Sequence, residues 1–330
     1  MITSKAAHHQ KFYNDDCSTF RYMVGFFIAS FFSVTYILTP IYSLACIYFL
    51  CTSPTSAFTL KFASLFFLSI LLPCISRPKI LSKLTPMLEF FQYEEIHELS
   101  YTELAEMASK NPKKKYFLVA QPHGVLSYCG FCAKVACPPK FGHVPTAVAA
   151  ALMKTPILKQ VIGSFTLVDA SKRSLKKVFK REGIEGNVLL YVGGIAELFK
   201  CSRKEERLYL SKRKGFIKLA LQEGVDIIPI YFFGNTSVLS VLSSGPLAAL
   251  SRKLGACVTY FWGFAGLPLP RFGEKCVYAR GRPLGLPEIK EPSQDDIDKW
   301  HKLYCNEVRR LYEKYQEKVP HYKNKPLFID

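Results

Sequence analysis

The histidine at position 123 is the first candidate for chemistry in this sequence. It lies in Gln-Pro-His-Gly (121–124), directly after the apolar stretch 116–120. Pro122 cannot continue a central strand and Gly124 favours a turn, so the pattern predicts a strand that ends just before the histidine. A lone histidine at a strand end is more often structural than catalytic. However, reactive groups gather at the carboxyl ends of strands in open α/β sheets, and the pKa range of histidine suits a general base.

No other catalytic or cofactor motif competes with His123. The sequence contains no G-x-S-x-G elbow, no P-loop and no dinucleotide-binding fingerprint. By elimination, we expect a histidine-assisted attack by a hydroxyl group of the substrate, without a covalent enzyme intermediate.

The 11 cysteines do not indicate a disulfide framework, because they are scattered and several lie in apolar runs. A zinc site could be drawn on the C-x2-C-x4-C-x5-H spacing of Cys129, Cys132, Cys137 and His143. The apolar residues between them are typical of an ordinary buried helix, and no second ligand cluster accompanies them. We therefore predict no metal, no other cofactor and a reducing, cytosolic environment.

Strand and helix patterns alternate after residue 77. Strands are predicted at 116–120, 187–192, 225–233 and 275–281, and helices at 214–224 and 294–318. The alternation predicts an α/β domain with a mostly parallel sheet flanked by helices. In the last helix, apolar residues recur in steps of three and four, which predicts one packed face.

Two uncharged stretches precede this domain, at 22–60 and 62–76. A membrane helix needs ~20 apolar residues, so two spans fit, at about 24–50 and 58–75. Pro40 lies inside the first span and predicts a kink, a tilt or partial insertion. No cleavage-site pattern closes the first stretch, which favours a membrane anchor over a signal peptide.

The charges around this helical hairpin predict its orientation. Basic residues flank it on both sides and the linking segment 51–56 is uncharged, so both ends are expected to face the cytosol. The predicted organisation is a cytosolic tail at 1–21, a membrane hairpin at 22–76 and a cytosolic domain at 77–330. The net charge of +18 fits anionic lipid head groups and anionic substrates. No nucleic-acid-binding signature accompanies it, so we predict no nucleic acid partner.

Four motifs occur in an order that points to a family. They are "QPHG" (121–124), "YVGGIAELF" (191–199), "RKGFIKLALQEGVDIIPIYFFGN" (213–235) and "ARGRPLGLP…PSQDDIDKWHKLY" (279–304). Together with the N-terminal hairpin they closely resemble the type-2 diacylglycerol acyltransferase family, which includes monoacylglycerol and wax-alcohol acyltransferases. The resemblance covers about residues 85–330. It implies a glycerolipid acyltransferase-like α/β domain.

The resemblance also implies catalytic roles for individual residues. His123 matches the second histidine of the HPHG motif, the expected catalytic base, and Glu197 matches the glutamate of a G-G-x-x-E block. Glu197 is expected to orient the imidazole or the acceptor; the alternative is a polar residue that opens a helix after the glycine turn. Attack on an acyl thioester carbonyl creates a negatively charged oxygen, the oxyanion. Backbone amides near Gly124, or near Gly193 and Gly194, are candidate hydrogen-bond donors to it.

A second set of residues is expected to bind substrate. Arg213 and Lys214 match an R-K-G block and are candidates for holding the CoA phosphates. The alternative is that both are basic residues at the start of a helix that lies near lipid head groups, without binding CoA. The substrate-binding set also includes Gln121, Pro122 and Gly124, together with the two glycines of the G-G-x-x-E block.

The sequence departs from the family pattern at a few positions. Gln121 stands where the family usually has histidine, and glutamine cannot act as a base. Tyr128 replaces the aspartate of the His-x4-Asp pattern of the glycerol-phosphate acyltransferases, which the motifs resemble distantly, and Asn235 stands where glutamate is common in the type-2 family. We interpret Asn235 as structural. The differences are expected to affect the substrate preference and to leave the reaction class unchanged.

The implied function is an acyl-CoA:diacylglycerol O-acyltransferase that forms triacylglycerol, with acyl-CoA as co-substrate. The alternatives are a monoacylglycerol or fatty-alcohol (wax ester) acyltransferase, and a non-catalytic lipid-binding membrane protein. Diacylglycerol and membrane lipids are the other expected partners, and a homo-oligomer is left open. The expected location is the endoplasmic reticulum membrane with the catalytic domain in the cytosol; the lipid droplet is a further site.

Overall fold

In the part of the chain that the structure describes, the strands form one eight-stranded sheet and two small two-stranded sheets. The computed structural model describes residues 7–138, 141–254 and 259–330. The strands are β1 His8–Lys11, β2 Glu94–His97, β3 Lys115–Gln121, β4 Thr146–Val148, β5 Leu167–Asp169, β6 Val188–Tyr191, β7 Glu206–Leu208, β8 Val225–Phe233, β9 Ser240–Val241, β10 Phe261–Trp262, β11 Val277–Arg280 and β12 Leu327–Ile329. The helices are α1 Thr19–Thr52, α2 Ala57–Leu71, α3 Pro78–Leu81, α4 Pro86–Phe90, α5 Tyr101–Lys110, α6 Tyr128–Ala136, α7 Ala150–Lys154, α8 Leu158–Gly163, α9 Lys172–Phe179, α10 Gly194–Leu198, α11 Gly215–Glu223, α12 Gly245–Leu254 and α13 Gln294–Tyr315.

The large sheet has the strand order β1-β2-β11-β8-β3-β6-β4-β5. The β1–β2 and β11–β8 pairs are antiparallel, and the other pairs are parallel. The predicted α/β class, with a large and mostly parallel sheet flanked by helices, is confirmed. Because β3, β6 and β8 are parallel neighbours, their carboxyl ends meet at one edge, where open α/β sheets place their sites.

All four strands predicted from the sequence occur in the sheet. Strand β8 has the predicted bounds, and β3, β6 and β11 differ from theirs by one or two residues at an end. The helix predicted at 214–224 ends as expected, since Gly224 adopts a left-handed φ of 64° at its C-cap. The short strands β1, β2, β4 and β5 were not predicted, because three or four residues carry little periodic signal.

Helix α13 covers one face of the sheet. Ser293 and Asp296 form a capping box at its start, as the sequence predicts. The apolar stripe is confirmed as packing: its members are buried in one core cluster or packed against it, namely Ile297, Trp300, Tyr304, Val308, Leu311 and Tyr315. The stripe therefore fixes α13 against β8 and neighbouring strands.

Helix α1 is long and apolar enough to cross a membrane, and it runs unbroken through Pro40. Its N-terminal part packs closely on the α/β domain. A Cβ added to Gly25 would lie 2.1 Å from the carbonyl oxygen of Pro86, so this approach of the two backbones requires glycine. Large apolar side chains such as Leu44 and Tyr48 are exposed further along the helix.

Helix α2 follows α1 after a short turn and contacts it. The hydroxyl of Tyr42 donates a hydrogen bond to the carbonyl oxygen of Phe62, at 2.5 Å. Helix α2 has 15 residues and ends at Leu71, earlier than the predicted end at 75. Helix α2 is therefore shorter than the ~20 residues that a helix needs to cross a membrane. The membrane hairpin and the domain boundaries at 21 and 76 stay predictions; strand β1 lies within the predicted tail.

Candidate active site

Three turns meet at the carboxyl edge of the sheet. His123 follows β3, the Gly193–Gly194 pair follows β6, and Asn235 follows β8. Strand β3 lies between β6 and β8, so the histidine turn has a neighbouring turn on each side. Residues far apart in the sequence are thus placed next to His123 by the parallel strand order.

His123 is held in one tautomer by its own turn. Its Nδ1 lies 2.8 Å from the carbonyl oxygen of Gly124. Because a carbonyl oxygen only accepts, Nδ1 carries the proton and Nε2 of the neutral ring keeps its lone pair. Burial lowers the pKa of His123 below its ordinary 6.5, although part of the residue remains exposed. Nε2 therefore has the protonation state that a general base needs near pH 7.

Glu197 contacts the backbone of His123. Its Oε1 accepts a hydrogen bond from the His123 N–H at 2.9 Å, and the side chain is almost fully buried. Its Oε2 has no hydrogen-bonding partner among the described residues. Burial raises the pKa of Glu197 to about 7, so the carboxyl group is partly protonated near neutrality. Glu197 positions the histidine turn; the predicted contact with the imidazole or the acceptor stays a prediction.

Asn235 holds the same turn from the β8 side. Its Nδ2 donates to the carbonyl oxygens of Pro122 and His123, both at 2.9 Å, and to Ser127 Oγ at 3.1 Å. Its Oδ1 accepts from the Cys129 N–H at 3.0 Å, and the side chain is buried. Asn235 is thus a positioning residue at the site, whereas the sequence alone indicates only a structural role for it. Its location directly after the strand beside β3 is the signal that could have found it.

The glycine turn brings Arg213 to the site. A Cβ added to Gly193 would lie 2.2 Å from Glu197 Oε2, so a side chain at this position would displace the carboxyl group. Arg213 Nη2 lies 3.4 Å from the Gly193 carbonyl oxygen, and its guanidinium stacks 5.2 Å from the Tyr209 ring centre. Its Nε is buried without a hydrogen-bonding partner in the described part of the chain. Gly194 adopts a left-handed φ of 61°.

Gln121 and Lys214 have their hydrogen-bonding partners on α13. Gln121 Oε1 accepts from the Tyr304 hydroxyl at 2.5 Å, and its side chain is fully buried. Lys214 Nζ donates to Asp298 Oδ1 at 2.7 Å. The structure therefore gathers His123, Glu197, the glycine pair and Arg213, whereas these two side chains are engaged elsewhere. Their roles in substrate binding stay predictions.

Comparison with known proteins identifies the family. Residues 75–330 match the family model described as Diacylglycerol acyltransferase. The chain belongs to this family. The resemblance to type-2 diacylglycerol acyltransferases is confirmed by the relatives. No solved structure is a significant match to the chain.

The relatives carry names for three different acceptors. Diacylglycerol O-acyltransferase 2 of Danio rerio is 28% identical over 234 residues, covering 62% of this chain and 62% of that protein. 2-Acylglycerol O-acyltransferase 3 of Homo sapiens is 26% identical, covering 68% and 71%. Acyl-CoA wax alcohol acyltransferase 1 of Mus musculus is 30% identical, covering 62% and 68%. The match thus spans less than two thirds of the length of the Danio rerio relative.

The substitution Glu197→Gln is expected to raise the free energy of unfolding above neutral pH. The folded protein binds the carboxyl proton more tightly than the unfolded chain, whose pKa is the ordinary 4.5. The stability linked to this group is therefore full below pH 4.5 and is lost as the pH rises through about 7. Glutamine keeps an oxygen for the His123 N–H and has no charge to bury. We expect a gain of up to about 3 kcal/mol near pH 8 and a smaller one near pH 5.

Denaturant unfolding of the detergent-solubilised protein at both pH values measures this gain. Glu313→Gln is the matched control, because Glu313 is exposed on α13 and its neutralisation removes no buried charge. A gain for Glu197→Gln that does not increase with pH would contradict the assigned proton binding.

Proposed function

We propose that the protein transfers a fatty acyl group from acyl-CoA to the hydroxyl of an acylglycerol, with diacylglycerol as the first acceptor and triacylglycerol as the product. The observation that carries the proposal is the Nδ1–H tautomer of His123, which leaves Nε2 as a base at the carboxyl edge of the sheet. The three relatives support the reaction class, since each is named as an acyltransferase. Acyl-CoA acts as co-substrate.

His123 acts as general base and then as general acid in this proposal. Nε2 takes the proton of the acceptor hydroxyl while that oxygen attacks the thioester carbonyl carbon. The C–S bond then breaks, the new ester forms, and the imidazolium returns the proton to the leaving CoA thiolate. The Nδ1–H bond to Gly124 persists throughout, and it is stronger while the ring is charged.

The glycine turn and Arg213 supply the remaining proposed contacts. Backbone amides at Gly124 and at Gly193 and Gly194 are the proposed donors to the oxyanion, each worth about 3 kcal/mol if well placed. Arg213 is the proposed partner of a CoA phosphate, because its buried Nε has a proton to donate. Lys214 would first have to leave Asp298.

Acyl transfer to three acceptors in parallel tests the proposal. Microsomes that express the chain, from cells that lack neutral-lipid synthesis, receive labelled oleoyl-CoA and one acceptor: diacylglycerol, monoacylglycerol or a fatty alcohol. We expect the highest rate with diacylglycerol and labelled triacylglycerol as its product.

The alternatives have distinct outcomes in this assay. A higher rate with monoacylglycerol or the alcohol would reassign the acceptor; the human and mouse relatives, at 26% and 30% identity, are as similar to the chain as the 28% identical Danio rerio protein. No product with any acceptor, at a normal membrane level, would favour a lipid-binding protein without catalysis.

We also propose that α1 and α2 anchor the protein in the endoplasmic reticulum membrane, with the sheet on the cytosolic side and passage to lipid droplets. The length of α1 and its exposed apolar side chains support the anchor. Protease added to sealed microsomes is expected to degrade the C-terminal part; protection of that part would contradict this orientation.

A further inference from the structure

A separate cavity of about 510 Å³ lies on the α6 face of the sheet. Residues of α5 and α6 line it, and its wall is mostly apolar, with Leu104, Leu118 and Leu189 among its lining residues. The volume is within the usual range for small-molecule sites. His123 does not line this cavity.

Two aromatic rings separate the cavity from the candidate catalytic histidine. The Tyr191 ring centroid lies 4.7 Å from that of His123 and 6.1 Å from that of Phe232. Phe232 is a lining residue of the cavity. The cavity is therefore next to the catalytic turn without being part of it.

The charged residues that line the cavity are all basic. They are Lys114, Lys115, Lys134 and Arg280, and no Asp or Glu is among the described lining residues. Each of the three lysine ammonium groups donates to a backbone carbonyl oxygen, which is neutral. Because an ammonium group binds a carboxylate more strongly than a carbonyl, these lysines have capacity for an anion.

Arg280 is the strongest sign of a missing partner. Its side chain is 1% exposed, and its Nε has no hydrogen-bonding partner within the described chain. Nη2 donates to the Leu99 carbonyl oxygen at 2.7 Å, and the guanidinium lies 4.5 Å from the Tyr101 ring centre. Tyr278, Tyr101 and Glu95 also stabilise this charge, but the Glu95 carboxylate already accepts from Tyr93, His97 and Tyr101. A buried N–H without an acceptor is costly, and a bound anion removes that cost.

We propose that this cavity is a binding site for a long-chain fatty carboxylate, distinct from the acyl-transfer site. The apolar wall takes the hydrocarbon chain, and Arg280 with Lys134 takes the carboxylate. A carboxylate is the head group proposed because its single charge suffices to accept from the unpartnered Arg280 N–H and a nearby ammonium group; a phosphate head group is the alternative that the experiment below separates from it. Reactions that hydrolyse esters or thioesters of fatty acids produce such a ligand.

Photocrosslinking of the detergent-purified full chain tests the site by binding alone. The probe is oleic acid with a diazirine on the chain and an alkyne at its end. We expect labelled peptides from 101–110 or 128–136, displaced by oleate but not by methyl oleate. Labelling confined to other segments would overturn the location. Equal displacement by methyl oleate, or stronger displacement by oleoyl lysophosphatidate, would overturn the carboxylate assignment.

Matched variants separate this site from the catalytic turn. Lys134→Met is expected to weaken oleate binding by about tenfold or more, because it removes a buried cation at the cavity. Lys177→Met, at an exposed position of α9, is expected to leave binding unchanged. Ala133→Phe, which fills the cavity without changing charge, should also weaken binding. Unchanged binding in both cavity variants would refute the proposal. The cavity peptides of His123→Ala should be crosslinked to the same extent as those of the wild type, whether or not acyl transfer occurs.

Discussion

Replacement of His123 by alanine is expected to lower acyl transfer by about two to four orders of magnitude. The ring is the base in the proposed mechanism, and Nδ1–H donation to Gly124 leaves Nε2 free to take the acceptor proton. The backbone N–H that binds Glu197 is retained in alanine, so the turn is expected to stay folded. The measurement is the rate of labelled triacylglycerol formation in microsomes, normalised to the membrane level of each variant.

The control for this experiment is another histidine. His321 is exposed and lies 3.4 Å from the carbonyl oxygen of Gly273, so His321→Ala changes the histidine content without affecting the site. We expect its activity to equal that of the wild type. Substantial turnover by His123→Ala at a normal membrane level would exclude this residue as the base.

The same base predicts the pH dependence of acyl transfer. Burial lowers the pKa of His123, so the ring stays neutral down to a pH below the ordinary 6.5 and activity falls only when the pH drops further. Glu197, whose pKa is raised to about 7, titrates in the same range. In Glu197→Gln, His123 is the member of this pair that still titrates. The fall in activity on the acid side of the pH–rate profile is then expected to lie below pH 6.5. If the acid-side fall in activity disappears in Glu197→Gln, the titration belongs to the Glu197 carboxyl group instead.

The parts of the fold that could be predicted have strong local signals. Strand β8 is a nine-residue run that is apolar except for Asp226 and is bounded by glycines at both ends, and helix α13 combines a capping box with one apolar stripe. The turn at His123 was predicted for the same reason, since Pro122 and Gly124 stop the strand. These features depend on neighbours within a few residues.

Strand β2, which the sequence pattern does not predict, depends partly on a partner that is distant in the sequence. Strand β2 carries Glu94 and Glu95, and both are buried. Two adjacent glutamates are not typical of a buried strand, so composition alone does not predict one here. The acids are tolerated because Lys275 donates to Glu94 at 2.7 Å, and Tyr93 and His97 donate to Glu95 at 2.9 and 2.6 Å. Lys275 lies on another part of the chain, so a sequence pattern cannot reveal this pairing.

The candidate site shows the same division. The motifs located His123 and Glu197, but the contact between the Glu197 carboxylate and the His123 backbone arises from the adjacency of β3 and β6. Asn235 was missed as a site residue because its four partners all lie more than one hundred residues earlier in the chain. Strand order, rather than local composition, decides which polar side chains support the histidine.

Asn235→Asp is expected to be the most damaging small change outside His123. The substitution preserves the shape and the Oδ1 acceptor for Cys129, but an ionised carboxylate cannot donate to the carbonyl oxygens of Pro122 and His123. Each buried group left without its partner costs about 1–3 kcal/mol, and the new charge is buried beside two carbonyl oxygens. We expect a loss of several kcal/mol in the free energy of unfolding, measured by denaturant titration in detergent.

Catalysis is expected to fall together with stability, and the kinetic constants distinguish positioning from a purely structural role. Displacement of the His123 ring by about 1 Å can cost two orders of magnitude in rate, so kcat should fall while KM for acyl-CoA changes little in the folded fraction. Asn324→Asp is the matched control, since Asn324 is exposed and aspartate tolerates its positive φ of 63°. If Asn235→Asp retained the wild-type kcat in folded protein, the turn would not depend on the amide, and the support of His123 would have to come from Glu197 alone.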